Sequence, residues 1–150
     1  MGYISDIRKY VGHMPILTAG VGLLVFNDEK KILMQLRTDY NEWGFPGGAM
    51  ELGESFEDVA KRELKEETNL DTNDLELVTV LSGKEYYYKY PNGDEVDCVI
   101  ALYQVKNYKG DLKINDGESK KLQFFSLDNL PQLESRAKAI IDKIKGDCYE

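Results

Sequence analysis

The feature that most constrains this chain is a helical pattern whose packing face carries acidic residues. Residues 55–70 read SFEDVAKRELKEETNL. At about 100° per residue, one side of this helix collects the apolar side chains that should be buried: Phe56, Val59, Ala60 and Leu64. Glu63 and Glu67 fall in the middle of that stripe, one turn apart, and Glu66 lies at its edge. The two lysines, Asp58 and Thr68 fall on the opposite side and are expected to face water.

Carboxylates in such a stripe need something that offsets their charge. At a separation of about 6 Å, two carboxylates repel each other by about 3 kcal/mol at an effective dielectric of about 20, and burial adds a desolvation cost. Some could take up a proton at a raised pKa, or a divalent cation could lie among them. Oxygen ligands suit magnesium, manganese or calcium better than zinc. The alternative is a solvated acidic face with Arg62 and the lysines as its partners, and the position of the lysines on the opposite side of the helix disfavours it.

The loop before this helix is rich in glycine, which lets backbone approach a ligand closely. The loop contains one proline, Pro46, and four glycines: Gly44, Gly47, Gly48 and Gly53. Backbone N–H groups entering a helix N-terminus favour phosphate oxygens. The carboxylates and the loop together indicate metal-assisted chemistry on a phosphate.

The remaining chain predicts a mixed α+β fold, with a central sheet covered by helices. Helices are predicted at 4–11, 55–68 and 132–145, and strands at 18–27, 30–37, 75–83, 84–90, 95–105 and 122–127. The first two strands are expected to pair as an antiparallel hairpin across the turn at 27–29. Pro91-Asn92-Gly93-Asp94 is typical of a second hairpin turn.

Composition places limits on partner and compartment. A length of 150 residues predicts one domain, and the net charge of −8 disfavours nucleic acid as a partner. The N-terminus lacks a long apolar run, so neither a secretory signal nor membrane association is expected. Cys98 and Cys148 lack metal-ligand spacing, which is typical of inert thiols in a reducing compartment and predicts a cytoplasmic protein.

One motif in the chain resembles a known family signature. Gly48, Glu54 and the run RELKEETNL at 62–70 resemble the Nudix box, G-x5-E-x7-R-E-U-x-E-E-x-G-U, where U is apolar. Asn69 replaces the usual glycine, and Asn is the next-best residue for the left-handed conformation that ends a helix. The approach WGFPGG at 43–48 and the late FFSLDNLP at 124–131 also look like the family.

The resemblance implies a Nudix-type α/β/α sandwich with a central mixed sheet, as a single domain over residues 1–150. It implies a pyrophosphohydrolase that uses Mg²⁺, with Mn²⁺ as a substitute, to cleave a nucleoside diphosphate linked to another moiety. Family positions assign the metal to Glu63, Glu66 and Glu67 together with Gly47. Arg62 would orient Glu63, and Glu54 would hold the loop-to-helix junction or bind a second cation.

The general base and the substrate contacts stay open at this point. The base would be a glutamate of the box, Glu63 or Glu66, or the downstream Glu118, for which a solvated loop position is the alternative. Substrate contacts are expected from Gly47 and Gly48, and candidates elsewhere are Arg37 and Tyr88. A surface ion pair and ordinary strand packing are the alternatives for these last two.

Several other residues receive structural roles. His13 and Trp43 are expected to serve packing or loop anchoring, and Glu51 and Glu57 are expected to face solvent. Alternation along the strand at 84–90 places Tyr86, Tyr88 and Tyr90 on one side, and Gly20-Val21-Gly22 is interpreted as part of a strand.

The function itself keeps alternatives. The substrate could be a nucleoside triphosphate, a nucleotide sugar or a dinucleoside polyphosphate, handled by a monomer or a homodimer. A catalytically inactive nucleotide-binding module and an RNA 5′ pyrophosphohydrolase are the competing hypotheses.

Overall fold

The computed structural model describes residues 2–39, 41–114, 117 and 119–146. The helices are α1 (Tyr3–Val11), α2 (Phe56–Thr68) and α3 (Ser135–Gly146), and a 3₁₀ turn covers Lys84–Tyr86. The strands are β1 (Ile16–Val25), β2 (Ile32–Arg37), β3 (Trp43–Gly44), β4 (Gly47–Ala49), β5 (Asp74–Leu81), β6 (Tyr87–Lys89), β7 (Glu95–Lys106) and β8 (Ser119–Phe125). Within these ranges no helix is long and apolar enough to cross a bilayer.

The strands form a larger and a smaller sheet. The five-stranded sheet has the order β4-β1-β7-β5, with β6 added to β7, and the three-stranded sheet has the order β3-β2-β8. β1 runs parallel to β7, from Ile16 opposite Val96 to Val25 opposite Val105, whereas the other strand pairs are antiparallel. The larger sheet is therefore mixed, and the predicted α+β sandwich is confirmed.

The predicted hairpin between β1 and β2 is wrong. The turn closes as expected, since Asn27 N donates to Lys31 O at 3.0 Å. Beyond it, Phe26 and Ile32 make an isolated bridge, and β2 then continues into the smaller sheet. Both edges of β1 are already satisfied by β4 and β7. Residues 21–25 are buried, and such an apolar run does not specify which strand it pairs with.

Helix α2 begins and ends as predicted. Ser55 N donates to the Asp58 side chain and Asp58 N to Ser55 Oγ, each at 3.0 Å, which completes a capping box. Asn69 adopts φ 69° in the left-handed region at the other end. Thr68, however, was expected to face water and is wholly buried. Its hydroxyl donates to Leu64 O at 2.5 Å, so the backbone of the helix satisfies it.

Helices α2 and α3 belong to separate apolar cores that share strand β1. Val21, Leu23 and Val25 pack in one core with the α2 residues Val59, Ala60 and Leu64. Leu24 lies in the other core with the α3 residues Ile140, Ile141 and Ile144. Alternate side chains of one strand thus serve both layers of the sandwich. The last helix starts at Ser135 rather than at residue 132, but its predicted apolar face is correct.

The second hairpin is confirmed, while the strand before it is shorter than predicted. Tyr90 N donates to Asp94 O at 2.8 Å, and Gly93 has φ 97° within the turn. Residues 84–86 form the 3₁₀ turn instead of a strand, and Tyr86 enters the α3 core. Tyr86 therefore does not share a face with Tyr88 and Tyr90, whose rings meet edge to face with centroids 5.0 Å apart.

Candidate active site

A cavity of about 380 Å³ opens on the larger sheet, and it is lined by residues of β1, β4 and β7. The glycine loop forms one part of its wall through Gly47 and Gly48, and the first turn of α3 contributes Arg136. Gln35 and Arg37, at the end of β2, also line it. A pocket of this kind, with polar groups converging on an apolar floor, is the default location for a small-molecule site.

At the glycine-loop wall, two glutamates of α2 meet. Glu67 is 3% exposed and accepts hydrogen bonds from Gln35 Nε2 at 2.6 Å and from Gly47 N at 3.0 Å. Burial and the neighbouring Glu63 raise the pKa of Glu67 well above its usual value. Burial also raises the pKa of Glu63, whose side chain is 14% exposed. We call Glu63 and Glu67 the carboxyl pair. In the ion pairs among the described residues, no lysine or arginine neutralises Glu67.

The glycines of the loop are needed because the carboxyl pair and β1 lie so close. A Cβ at position 48 would lie 2.1 Å from Glu63 Oε2. Gly47 has φ 154°, and a Cβ there would lie 2.2 Å from the carbonyl oxygen of Val21. Any side chain at either position would displace the carboxylate or the strand. The loop therefore brings backbone directly against the glutamates.

Arg62 and Glu54 form a second charged unit nearby. Arg62 donates to Glu54 through Nε at 2.7 Å and through Nη2 at 2.8 Å, and it reaches Ala49 O at 3.1 Å. Together with the backbone N–H of Glu51, this lowers the pKa of Glu54 to about 2. The same contacts raise the pKa of Arg62. This unit, the Glu54–Arg62 pair, fastens the loop to the helix.

Arg62 also connects the two units. Its Nη1 donates to Glu63 Oε2 at 3.1 Å and lies 3.5 Å from Glu66 Oε1. Glu66 is half exposed and does not join the carboxyl pair in this arrangement. Among the residues described, no group of three His, Cys, Asp or Glu side chains could hold a metal ion. The carboxyl pair nevertheless has the donor chemistry that suits a hard divalent cation: two adjacent carboxyls, of which Arg62 contacts Glu63 while the buried Glu67 has no positive partner among the described residues.

The other predicted site residues take different positions. Arg37 lines the cavity and pairs with Asp39, with Nε at 3.1 Å and Nη2 at 3.0 Å from its oxygens. Tyr88 lies beneath the guanidinium of Arg136, whose Cζ is 4.1 Å from the ring centroid. Burial raises the pKa of Tyr88 to about 12. Glu118 lies outside the described residues.

The structure adds residues that the sequence reasoning did not assign. Gln35 bonds to both Glu67 and Ser119 Oγ, so it fixes the buried carboxyl from a different sheet. A polar residue in the apolar run ILMQLR was the available signal. Glu51, expected to face solvent, instead accepts the backbone N–H of Tyr3 at 2.8 Å and caps α1. A contact across 48 residues leaves no local pattern in sequence.

Comparison with known proteins now decides the family. A sequence model of the NUDIX domain matches residues 16–144. The chain belongs to the Nudix family. It is 32% identical over 130 residues to the ADP-ribose pyrophosphatase of Methanocaldococcus jannaschii, covering 85% of this chain and 72% of that protein. It is 30% identical over 129 residues to the RNA pyrophosphohydrolase of Pelagibacter ubique, covering 78% and 81% respectively.

Solved structures agree with this Nudix assignment. A MutT Nudix hydrolase from Burkholderia pseudomallei superposes with a TM-score of 0.71 at 24% identity, covering 86% of this chain and 98% of that chain. An ADP-ribose pyrophosphatase from Streptococcus suis superposes with a TM-score of 0.59 at 25% identity, covering 89% and 96%. The predicted family, fold class and enzyme class are confirmed: the chain is a Nudix hydrolase of the pyrophosphohydrolase type.

Proposed function

We propose that this Nudix hydrolase cleaves a phosphoanhydride bond of a nucleoside diphosphate derivative, with Mg²⁺ or Mn²⁺ held at the carboxyl pair. The observation that carries the proposal is the buried Glu67, which receives two neutral hydrogen bonds and no cationic partner. A carboxyl in this position costs stability unless a proton or a cation offsets its charge. The glycine backbone beside it lines the cavity in which a diphosphate would lie.

The residues of the chain divide the chemistry among them. A divalent cation bound here would supply positive charge against the phosphate oxygens of the substrate. Glu67 is oriented by Gln35 and by the backbone of Gly47, so its carboxyl is fixed before substrate arrives. Arg62 orients Glu63 by a charge-assisted hydrogen bond.

Proton transfer from the attacking water is assigned to a glutamate. Glu66 is the candidate on the exposed side of α2, because its carboxylate is half exposed and can accept a proton from solvent water. Glu118 remains a candidate from the sequence. Substituting each residue by Gln and comparing the pH dependence of kcat separates them, since only loss of the base removes the acidic limb of the profile.

The substrate class follows in part from the relatives. Their names include an ADP-ribose pyrophosphatase and an RNA pyrophosphohydrolase, so a nucleotide sugar and a 5′-triphosphate end are the first substrates to test. Arg37 lies in the wall of the cavity, where it pairs with the more exposed Asp39, and the Gly47-Gly48 backbone provides close approach. We expect these residues to contact the phosphates of either substrate.

The test is a substrate screen with defined metal content. Metal-depleted protein is incubated with ADP-ribose, GDP-mannose, the four nucleoside triphosphates, a dinucleoside tetraphosphate or triphosphorylated RNA, with and without Mg²⁺. Products are identified by mass spectrometry. We expect cleavage of at least one phosphoanhydride bond that depends on Mg²⁺ and is lost in Glu67→Gln. Cleavage that persists in metal chelator, or in Glu67→Gln at the wild-type rate, would contradict the proposal.

A second outcome distinguishes the competing functions. Release of pyrophosphate from triphosphorylated RNA, with little turnover of free nucleotides, would assign the chain to RNA ends. Saturable nucleotide binding without turnover of any substrate would assign it to the inactive binding modules.

A further inference from the structure

At the first turn of α3, the cavity wall holds the largely buried arginine Arg136, which a glutamate and two tyrosines contact. Arg136 donates to both oxygens of Glu134, with Nε at 3.0 Å and Nη2 at 2.7 Å from Oε2. The side chains of Arg136 and Glu134 are only 13% and 6% exposed. Tyr88 covers the guanidinium at 4.1 Å, and Tyr90 lies at 5.7 Å. These cation–π contacts hold the guanidinium against two rings whose planes are 78° apart.

Glu134 is itself fixed by the helix that follows. Its Oε1 accepts the backbone N–H of Ala137 at 3.0 Å and also that of Arg136, as an N-cap does. The helix thus orients the glutamate, and the glutamate orients the arginine. The position of the guanidinium is therefore set by the fold before any ligand enters.

Not every N–H group of Arg136 has an acceptor among the described residues. A guanidinium has five N–H groups. Glu134 takes the edge formed by Nε and Nη2, and Nη1 makes a weak contact with Cys98 Sγ at 3.4 Å. Within the described part of the chain, each terminal nitrogen therefore keeps one N–H without an acceptor. Because Nη2 shares one edge with Nε toward Glu134, its remaining N–H faces Nη1, where it can act together with an Nη1 N–H as a pair of donors for two adjacent acceptors.

The charge around Arg136 selects the kind of acceptor. Glu134 already neutralises the guanidinium, so a phosphate or carboxylate placed against it would also repel the Glu134 carboxylate. A neutral ring edge with two adjacent acceptors meets no such repulsion. Guanine offers O6 and N7 in this arrangement, whereas adenine replaces one acceptor with its N6 amino donor. Cytosine offers adjacent acceptors at O2 and N3.

We propose that Arg136 is a specificity-determining residue that reads a nucleobase edge with two adjacent acceptors, and so favours guanine or cytosine nucleotides over adenine nucleotides. The inference rests on the proposed function, because it places the base at the α3 wall and the diphosphate at the glycine-loop wall of the same cavity. Arg136 on the one side and Gly47 and Gly48 on the other line the same cavity. The chain should accordingly bind a guanine nucleotide better than ADP-ribose.

The first measurement uses ligand chemistry on the unaltered protein. GMP, AMP, CMP and UMP share the phosphate and differ in the base, and their affinities are measured by isothermal titration calorimetry. We expect GMP or CMP to bind at least about tenfold tighter than AMP, as one bidentate contact allows. If GMP is preferred, 7-deaza-GMP, which lacks the N7 acceptor, should lose most of that advantage. If CMP is preferred, the base edge that Arg136 contacts is the O2/N3 edge of cytosine.

The second measurement uses protein variants. Arg136→Lys keeps the charge but removes the planar pair of donors, and it should reduce the preference over AMP to within about threefold. Lys138→Gln removes an exposed charge two residues along α3 and should leave the preference unchanged. Circular dichroism shows whether each variant is folded, and the 7-deaza-GMP result stands whether or not Arg136→Lys folds.

The outcomes separate this inference from the proposed function. Equal affinity for all four monophosphates would overturn the role of Arg136, even if metal-dependent hydrolysis is found. A preference that Arg136→Lys abolishes would support it, even if none of the screened anhydrides is cleaved. A preference that survives unchanged in folded Arg136→Lys would overturn it.

Discussion

The carboxyl pair and the Glu54–Arg62 pair lie in the same stretch of chain, the loop end and helix α2, but their carboxylate charges are compensated in opposite ways. Glu54 receives two N–H groups of one arginine, and its pKa falls to about 2. Glu67, in the last turn of α2, receives hydrogen bonds only from neutral donors, and its pKa rises. The first pair stabilises the fold as it stands. The second pair leaves the negative charge of Glu67 uncompensated, and a divalent cation can offset it.

The two kinds of compensation distinguish the acidic residues that stabilise the fold from those that serve metal binding and turnover. A glutamate paired with arginine contributes to stability, and its removal should be felt in the folding equilibrium. A glutamate without a positive partner contributes little or is unfavourable in the metal-free protein. Its removal should be felt in metal binding and turnover instead.

The largest expected effect comes from Glu67→Gln. Removing this carboxylate should lower kcat by about 1,000-fold, as loss of a catalytic carboxylate commonly does. The melting temperature of the metal-free variant should change little, because the amide removes a buried acid with a raised pKa but can accept only one of the two hydrogen bonds that Glu67 receives. Steady-state kinetics on the substrate found in the screen and differential scanning calorimetry measure the two quantities.

Glu57→Gln is the matched control on the same helix. Glu57 is exposed and accepts the Tyr103 hydroxyl at 3.0 Å, away from the carboxyl pair. Its kcat should stay within about twofold of wild type. A loss of kcat in both variants alike would show that the helix, and not the carboxyl pair, had been disturbed.

The next effect concerns Arg62, which joins the two units. Arg62→Met should lower the free energy of unfolding by about 2 kcal/mol, between the values for exposed and for buried ion pairs, because its side chain is 28% exposed. Urea denaturation measures this change. Lys61→Met, which removes an exposed neighbouring charge, is the control and should change stability by less than about 0.5 kcal/mol. An equal change in the free energy of unfolding for the two substitutions would show that the Glu54–Arg62 pair does not stabilise the fold.

Much of this arrangement could be predicted from the sequence. The helical period of residues 55–70 gave the extent of α2 and the place of Glu63 and Glu67 on the packing face. The partners of β1 could not be predicted, because an apolar strand buried on both faces fits many neighbours. The contacts of Gln35 with Glu67 and of Glu51 with Tyr3 join distant segments, and no local periodicity records them.

A smaller effect is the acid sensitivity that Glu54 confers. Its pKa of about 2 in the folded protein lies below the ordinary value of 4.5. The stabilisation it provides is therefore complete above about pH 4.5 and is lost as the pH falls towards about 2. Wild type should exceed Glu54→Gln in stability at pH 7, and the gap should close on acidification. The midpoints of urea unfolding of both proteins at pH 7, 5, 4 and 3 measure this difference in stability. A difference that does not change with pH would contradict the stabilising role of the Glu54 carboxylate.

The smallest expected effect lies at the end of α2, just beyond the carboxyl pair. Asn69 has φ 69°, and its Nδ2 donates to Asp111 O at 2.9 Å. Asn69→Gly restores the usual residue of the Nudix box and should change stability by less than about 1 kcal/mol, whereas Asn69→Ala should lose about 1 kcal/mol or more. Thermal unfolding compares them. A larger loss in the glycine variant would mean that the hydrogen bond outweighs the backbone conformation.

The most direct test of the carboxyl pair is a titration of metal-free protein with Mn²⁺, monitored by electron paramagnetic resonance. Wild type should bind Mn²⁺ at a site from which Mg²⁺ displaces it. Glu67→Gln should weaken that site by about tenfold or more, and Glu57→Gln should leave it intact. Unchanged Mn²⁺ affinity in Glu67→Gln would contradict the account, because the buried carboxyl would then have no cation to hold.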